Sequence, residues 1–239
     1  TNLNYDATIL KSNTIYYMKM LLLTHSGRQD SSSRIRLLQY IPFFKQQGIQ
    51  VEVSSLLSDE YVLNIISGQT IKSYWTLIIF GYWKRLKILF KIKSYDLIII
   101  HKEIFPYVPA FIERILRLIG IVYMVDYDDA TFHKYDNHKN WLVRLFLSKK
   151  IDTIMKHSHA VILGNKYLSL RAQSSGASRI EIVPSVVDLK KYKPVKSNYN
   201  KKLVVGWIGS PSTGKYLLEI ESIFKLMTKE FDIRFIAVG

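Results

Sequence analysis

The segment "IVYMVDYDDATF", Ile121 to Phe132, runs from apolar residues straight into three carboxylates within four positions: Asp126, Asp128 and Asp129. Carboxylates so spaced after an apolar run suit several chemistries. As a D-x-D pair, Asp126 and Asp128 supply hard oxygen ligands for Mg²⁺ or Mn²⁺ and, through the metal, a nucleotide diphosphate. As the opening of a D-x-D-x-[TV] phosphoryl-transfer motif, Asp126 would be the nucleophile, but Ala130 stands at the fifth position and Thr131 comes one place late. Without metal, the cluster can bind hydroxyls or accept a proton. As plain structure, Asp128 or Asp129 would cap the next segment.

Three further stretches carry the same kind of chemistry. In "LIIIHKEIFP", His101, Lys102 and Glu103 follow a buried run directly, a placement that suits acid/base work or contacts with sugar hydroxyls. In "THSGRQDSSSRIR", Gly27 permits a tight turn, Ser31 to Ser33 offer a helix cap, and Arg34 and Arg36 add fixed positive charge, a cradle for an anionic or hydroxyl-rich ligand. In "VVGWIGSPSTGKYL", small residues at Gly206 and Gly209, the Ser210 to Thr213 turn and Lys215 at a helix start favour phosphate. The loop from Thr24 to Arg36 is neither the G-x-G-x-x-G fingerprint nor a Walker A motif.

These residues need a scaffold that brings them together. Short apolar runs at residues 19–24, 49–54, 96–100, 121–125, 160–163 and 180–183 alternate with helical patterns at 33–47, 73–93, 109–118, 140–157 and 166–174. That alternation predicts βαβ units around a mainly parallel sheet, an α/β fold whose ligands bind beyond the carboxyl ends of the strands. Gly48, Gly120 and Gly176 fall where left-handed caps end helices, and Pro42 should kink the first helix. Residues 1–17 read as an extension and 18–185 as the amino-terminal domain. Residues 186–202, rich in Lys and Asn, read as a linker, and 203–239 as the start of a second domain, a strand, a helix from Thr213 to Glu230 and a strand that cannot cover their own sheet faces. The sequence therefore reads as cut short early in that domain.

Composition narrows the partners. The 34 Lys and Arg against 19 Asp and Glu leave a formal charge of +15, which calls for anionic company. The cations are spread over every helix and no nucleic-acid motif appears, so no nucleic-acid partner is expected. With no cysteine, disulfides and thiolate metal sites are excluded. The stretch from Tyr74 to Lys93 is interrupted by Lys84, Arg85, Lys87 and Lys91, so it does not span a bilayer but could rest on an anionic membrane face.

Taken together, "SSSRIRLLQYIPFFKQQGIQVEV", "IIIHKEIFP", "VYMVDYDDATF", "AVILGNKYLSLRAQSSGASRIEIVPSVVDLKKYKP" and "VVGWIGSPSTGKYL" resemble, in order and spacing, the two-domain GT-B glycosyltransferases of family 4. The resemblance implies two Rossmann-like domains, the first for acceptor and the second for donor. The reaction implied is a retaining, metal-independent sugar transfer from a nucleotide-sugar to a glycan or lipid-linked acceptor, in cell-surface polysaccharide synthesis. No cofactor is implied beyond the nucleotide-sugar co-substrate. The site implied is cytoplasmic, with peripheral contact at the inner membrane face. It assigns catalysis to Asp126, Asp128 and His101, Asp126 standing where many members place a His. Substrate binding falls to Gly27, Arg28, Ser33, Arg34, Arg36, Lys102, Glu103 and Asn165. Donor phosphate binding falls to Gly209, Ser210, Ser212, Thr213 and Lys215, although Trp207 replaces the family's usual Arg. The family's donor-gripping glutamate pair would lie beyond Gly239, which implies a chain inactive by itself.

Overall fold

The computed structural model describes residues 9–11, 14–68, 71–194, 203–209 and 213–238. In chain order the elements are β1 (Ile9–Lys11), β2 (Thr14–Tyr16), β3 (Lys19–Ser26), α1 (Ser31–Arg36), α2 (Ile41–Gln46), β4 (Gln50–Leu57), α3 (Asp59–Ile66), α4 (Ile71–Phe90), β5 (Leu97–His101), α5 (Phe111–Leu118), β6 (Tyr123–Tyr127), α6 (His133–Asp136), α7 (Trp141–Leu147), α8 (Lys150–His157), β7 (Ala160–Leu163), α9 (Lys166–Ser175), β8 (Ile180–Ile182), β9 (Leu203–Ile208), α10 (Lys215–Glu219), α11 (Glu221–Glu230) and β10 (Ile233–Val238). Two compact units result, Thr1–Val62 with Ile71–Val186, and Leu63–Thr70 with Val187–Gly239.

The first unit is built on a six-stranded, wholly parallel sheet of order β4-β3-β5-β6-β7-β8. A parallel sheet is covered on both faces, so its central strands carry unbroken apolar runs ahead of their polar carboxyl ends. Leu21, Leu23, Ile98, Ile100, Val125, Val161 and Leu163 point into one core, with Tyr135, Ile151 and Met155 among the side chains laid on it. Met20, Leu22 and Ile99 point the other way, against Leu37. This is the α/β class expected, with a Rossmann-like sheet.

Several helices differ from expectation. The single helix foreseen over residues 33–47 is two, α1 and α2, joined by a 3₁₀ turn at Leu38–Tyr40. Pro42 does not kink a continuous helix; it lies in the first turn of a new one, where its missing N–H costs nothing. The stretch foreseen as one helix at 140–157 breaks between α7 and α8. The helix α3, the one-turn α6 and the β1–β2 pairing within the expected extension were not foreseen. Gly176 has φ 80° and ends α9 as a left-handed cap, as its spacing predicted.

On α4, Arg85 departs from its expected place on a basic outer face. It is fully buried and donates through Nη2 to the carbonyls of Thr24 (2.6 Å) and Ser54 (2.9 Å). Burial lowers its pKa to about 9. One turn earlier, Gly81 lets α4 press on β4: a Cβ there would collide with the Leu56 carbonyl. Gly81 and Arg85 thus face the sheet together, which leaves Lys84, Lys87 and Lys91 to solvent.

The second unit pairs β9 with β10 in parallel, with α10 and α11 between them in sequence. Phe224 and Phe235 stack at 4.4 Å between ring centroids. The helix foreseen from Thr213 to Glu230 is interrupted at Ile220.

Candidate active site at the carboxyl ends of the central strands

Parallel pairing of β5 with β6 sets His101 beside Asp126, so the first residues beyond the two apolar runs arrive at the same sheet edge. The β3 end adds His25 and Ser26, and α1, starting just after it, adds Ser32, Ser33 and Arg36. Asp30 is the N-cap of α1, accepting from Ser33 N at 2.9 Å.

Those hydroxyls bracket His101. Ser32 Oγ lies 3.0 Å from Nε2 and Ser33 Oγ 3.3 Å from Nδ1. Ser32 gives its proton to Asp128 Oδ2, so its oxygen accepts from His101 Nε2. Ser33 Oγ accepts from Ser26 N at 3.3 Å, and its proton is free for Nδ1. The network is satisfied with the ring proton on Nε2, an assignment made from the hydrogen bonds.

The three carboxylates of the opening motif divide into three environments. Asp126 is buried and forms a bidentate pair with Arg36, Nε to Oδ1 at 3.0 Å and Nη2 to Oδ2 at 2.6 Å. Arg36 also donates through Nη1 to the Val183 carbonyl at 2.5 Å and lies 3.5 Å from Ser185 Oγ. Burial works against both charges. It leaves the Asp126 carboxyl above its ordinary range, whereas Arg36, lowered by burial, is carried above its own by the carboxylate. Arg36 keeps its proton near neutral pH, and a fixed cation held bidentately at 2.6 Å favours the carboxylate form of Asp126 against the burial. Asp126 is therefore buried against Arg36, with each of its oxygens engaged by the guanidinium.

Asp128 stands between Ser32, His101 (3.8 Å to Nε2) and Lys102 (3.6 Å to Nζ). Burial pushes its carboxyl up, but the nearby His101 ring, the hydrogen bond from Ser32 and the charge of Lys102 outweigh that and hold it well below the usual carboxylate range. Its Oδ1 is shielded from solvent and accepts no hydrogen bond. Asp129, foreseen as a structural cap, caps nothing with its side chain: the exposed carboxylate accepts from Lys102 Nζ at 3.4 Å, and its backbone carbonyl accepts from Thr131 N. Lys102 itself has φ 70°, a left-handed conformation rare outside glycine, and its N–H donates to the Asp126 carbonyl at 3.0 Å. Strained backbone of this kind gathers at functional sites.

The other expected site residues lie as follows. Glu103 turns inward, 1% exposed, where Lys150, Lys134 and the Tyr135 hydroxyl take its oxygens; it is a buried counter-ion with no oxygen left for substrate. Asn165 caps α9, its side chain accepting from Leu168 N at 3.0 Å. Gly27 is packed against Asp59, whose carboxylate accepts from Gln29 N at 2.7 Å, so the chain's own acid occupies the loop expected to cradle an anion. Arg34 reaches back to the Arg28 carbonyl (2.6 Å), and Arg28 is exposed.

In the second unit, Gly209 N bonds the Val238 carbonyl at 3.1 Å and the Trp207 ring lies over Gly209. Lys215 Nζ is 5.1 Å from the Tyr216 ring centroid, and the Thr213 carbonyl accepts from Tyr216 N. Ser210 and Ser212 fall outside the described residues.

Sequence reasoning passed over His25. Its Nδ1 is 3.0 Å from Ser26 Oγ, and burial, reinforced by Lys102, Lys134 and His101, lowers its pKa to about 4, so the ring is neutral at pH 7. The available signal was its position, one residue past the apolar run "MLLLT".

No protein-family model matches the chain, and no curated protein matches it by sequence. Among solved structures, HepE (Alr3699) of Anabaena in complex with UDP is similar over 93% of this chain and 70% of that one, at 12% identity and a TM-score of 0.54. HepE with UDP and glucose matches over 93% and 70%, at 13% identity and 0.49. UGT89C1 of Arabidopsis thaliana with UDP-L-rhamnose matches over 94% and 70%, at 10% identity and 0.46. At such identities the likeness to UDP-bound HepE speaks to the fold, and it agrees with the α/β, Rossmann-like class of GT-B type.

Proposed function

We propose that this chain belongs to a glycosyltransferase that moves a sugar from a nucleotide-sugar donor to a glycan or lipid-linked acceptor in cell-surface polysaccharide synthesis, with retention, without a catalytic metal, and with little turnover by this 239-residue chain alone. The reading places the enzyme in family 4. The observation that carries it is the cluster of Ser32, His101, Lys102 and Asp128 at the carboxyl edge of a parallel sheet, where ligands of open α/β sheets bind. HepE, a solved structure of similar fold, holds UDP.

In this reading the first unit receives the acceptor. Asp128 Oδ1 is the shielded acceptor atom for a sugar hydroxyl, Lys102 supplies positive charge beside it, and the neutral ring of His25 offers a further polar contact. Thr213 and Lys215 serve the donor diphosphate in the second unit. The phosphatase alternative is disfavoured because its nucleophile would be Asp126, buried and held at both oxygens by Arg36.

Imidazole signals of His25 and His101, followed by NMR during titration with monosaccharides, UDP and UDP-sugars, test the reading. Both rings are expected to shift with a sugar ligand and to stop responding in Asp128→Asn. No perturbation at millimolar ligand, or Mg²⁺-dependent hydrolysis of a phosphate ester lost in Asp126→Asn, would overturn it.

A further inference from the structure

The outer surface of the first unit around α4 and α5 is unlike the rest of it. With 3.6 residues per turn, Trp75, Ile79, Trp83, Leu86 and Phe90 fall within an arc of about 80° on α4, and Lys84, Lys87 and Lys91 fall in the arc beside it. All eight are exposed, Phe90 by 82%. On α5, Phe111, Ile115 and Leu118 are exposed likewise, together with Arg114 and Arg117. An apolar groove of about 390 Å³ runs between the two helices, lined by Ile79, Tyr82, Trp83, Leu86 and, from the facing side, Val108 and Ile112.

Charge decides what this surface fits. From Ile71 to Lys93 there is no acidic residue, and the one acid of α5, Glu113, is buried and accepts from Ile104 N. Lys84, Lys87, Lys91, Arg114 and Arg117 form no ion pair among the described residues, and Lys87 lies 5.1 Å from the Trp83 ring centroid. An uncompensated basic band beside exposed tryptophans and an apolar groove is the pattern of a helix lying in the headgroup layer of an anionic bilayer. No helix among the described residues is long and apolar enough to cross a membrane, so the contact is with its surface.

We infer that the α4–α5 face docks on an anionic lipid bilayer, with Trp75, Trp83 and Phe90 in the interface, the lysines against phosphate headgroups, and one acyl chain lodged in the groove between Trp83 and Ile112. Arg85 plays no part, being committed to the Thr24 and Ser54 carbonyls. The inference rests on this face alone and does not depend on the transferase reading.

Vesicle co-sedimentation of the 239-residue chain tests it. Binding is expected to phosphatidylglycerol vesicles and not to phosphatidylcholine vesicles, and to weaken as salt rises. Lys84→Gln, Lys87→Gln and Lys91→Gln together are expected to weaken it on the order of 100-fold, each basic residue near such a surface being worth roughly fivefold. Ile79→Ser with Leu86→Ser, both at exposed positions, is expected to reduce binding with the thermal midpoint unchanged. A chain keeping only Trp83, by Trp75→Phe, Trp141→Phe and Trp207→Phe, is expected to be quenched by lipids brominated on the acyl chain. Equal binding to both lipids, or no loss in the lysine variant, would overturn the proposal. So would unquenched Trp83, or concentration-dependent self-association that buries Trp83 without lipid, which would make the face an interface between copies.

Discussion

Replacing Asp126 by Asn separates a structural role from a chemical one at the centre of the acidic motif. The side chains of Arg36 and Asp126 are 3% and 2% exposed, so water cannot replace a lost partner. Asn keeps the oxygen that accepts from Arg36 Nε but sets an NH₂ against Nη2, a donor facing a donor where a 2.6 Å charge-assisted bond had been. Breaking one side of a buried pair costs about 3–5 kcal/mol, and the retained acceptor brings the expected loss to about 2–4 kcal/mol. For a chain of this size that is a fall in thermal midpoint of roughly 5–15 °C. Differential scanning calorimetry measures it. Amide exchange at Val183, whose N–H bonds the Leu163 carbonyl at 2.8 Å while its own carbonyl holds Arg36, is expected to speed up in parallel. Arg36→Met with Asp126→Leu should regain most of the loss, because an apolar pair replaces a buried ionic one with little net cost. An Asp126→Asn protein that melts within about 1 °C of the parent would refute the assignment of Asp126 to the scaffold.

The same logic applies to Glu103→Gln, which leaves the buried Lys150 facing a neutral amide; urea denaturation is expected to show a loss of about 3–5 kcal/mol, and an unchanged midpoint would deny the pair its structural role. His25 gives the pH dependence. Its folded pKa of about 4 lies below the ordinary 6.5, so the stability it contributes is complete above about pH 6.5 and is lost as pH falls toward 4. Wild-type stability should therefore drop by about 2–3 kcal/mol across that window, and His25→Gln should flatten the curve.

How much of this was legible from sequence depended on what each residue's neighbours are. The six strands of the sheet are legible because a sheet covered on both faces writes itself as apolar runs. Their carboxyl ends were set two residues short at β3 and β6 and one at β5, because the pattern stops where the site begins: the backbone of β3 runs on through His25 and Ser26, β5 through His101, and β6 through Asp126 and Tyr127. Read as following the strand, Asp126 seemed free to meet a ligand; inside it, its carboxylate returns to Arg36. That partner lies 90 positions away, and no local spacing announces it. Arg85 was misplaced for a related reason. Its neighbours Lys84 and Lys87 made a basic face plausible, and only the close approach of Gly81 to β4 shows which side of the helix turns inward.

The environments of Asp128 and His25 also bear on how a transferase built on this site would lower its barrier. A general base works best with a pKa near the working pH. Asp128, held well below the carboxylate range, keeps its charge but is a weak proton acceptor, and His25 at about 4 is weak as well. Neither is tuned to strip a proton from an acceptor hydroxyl before the donor bond breaks. What they can do is hold that hydroxyl: an ionised oxygen with no hydrogen bond at Oδ1, kept in place by Ser32 and His101, fixes its direction at little entropic cost. The larger part of the barrier then has to be met by stabilising charge on the departing diphosphate, with the hydroxyl proton leaving late. This predicts that Asp128→Asn, which keeps an oxygen acceptor but loses the charge, lowers acceptor affinity more than it alters the pH profile of transfer. A pH–rate profile displaced by a full unit or more in that variant, measured in an active form of the enzyme, would instead make Asp128 the base.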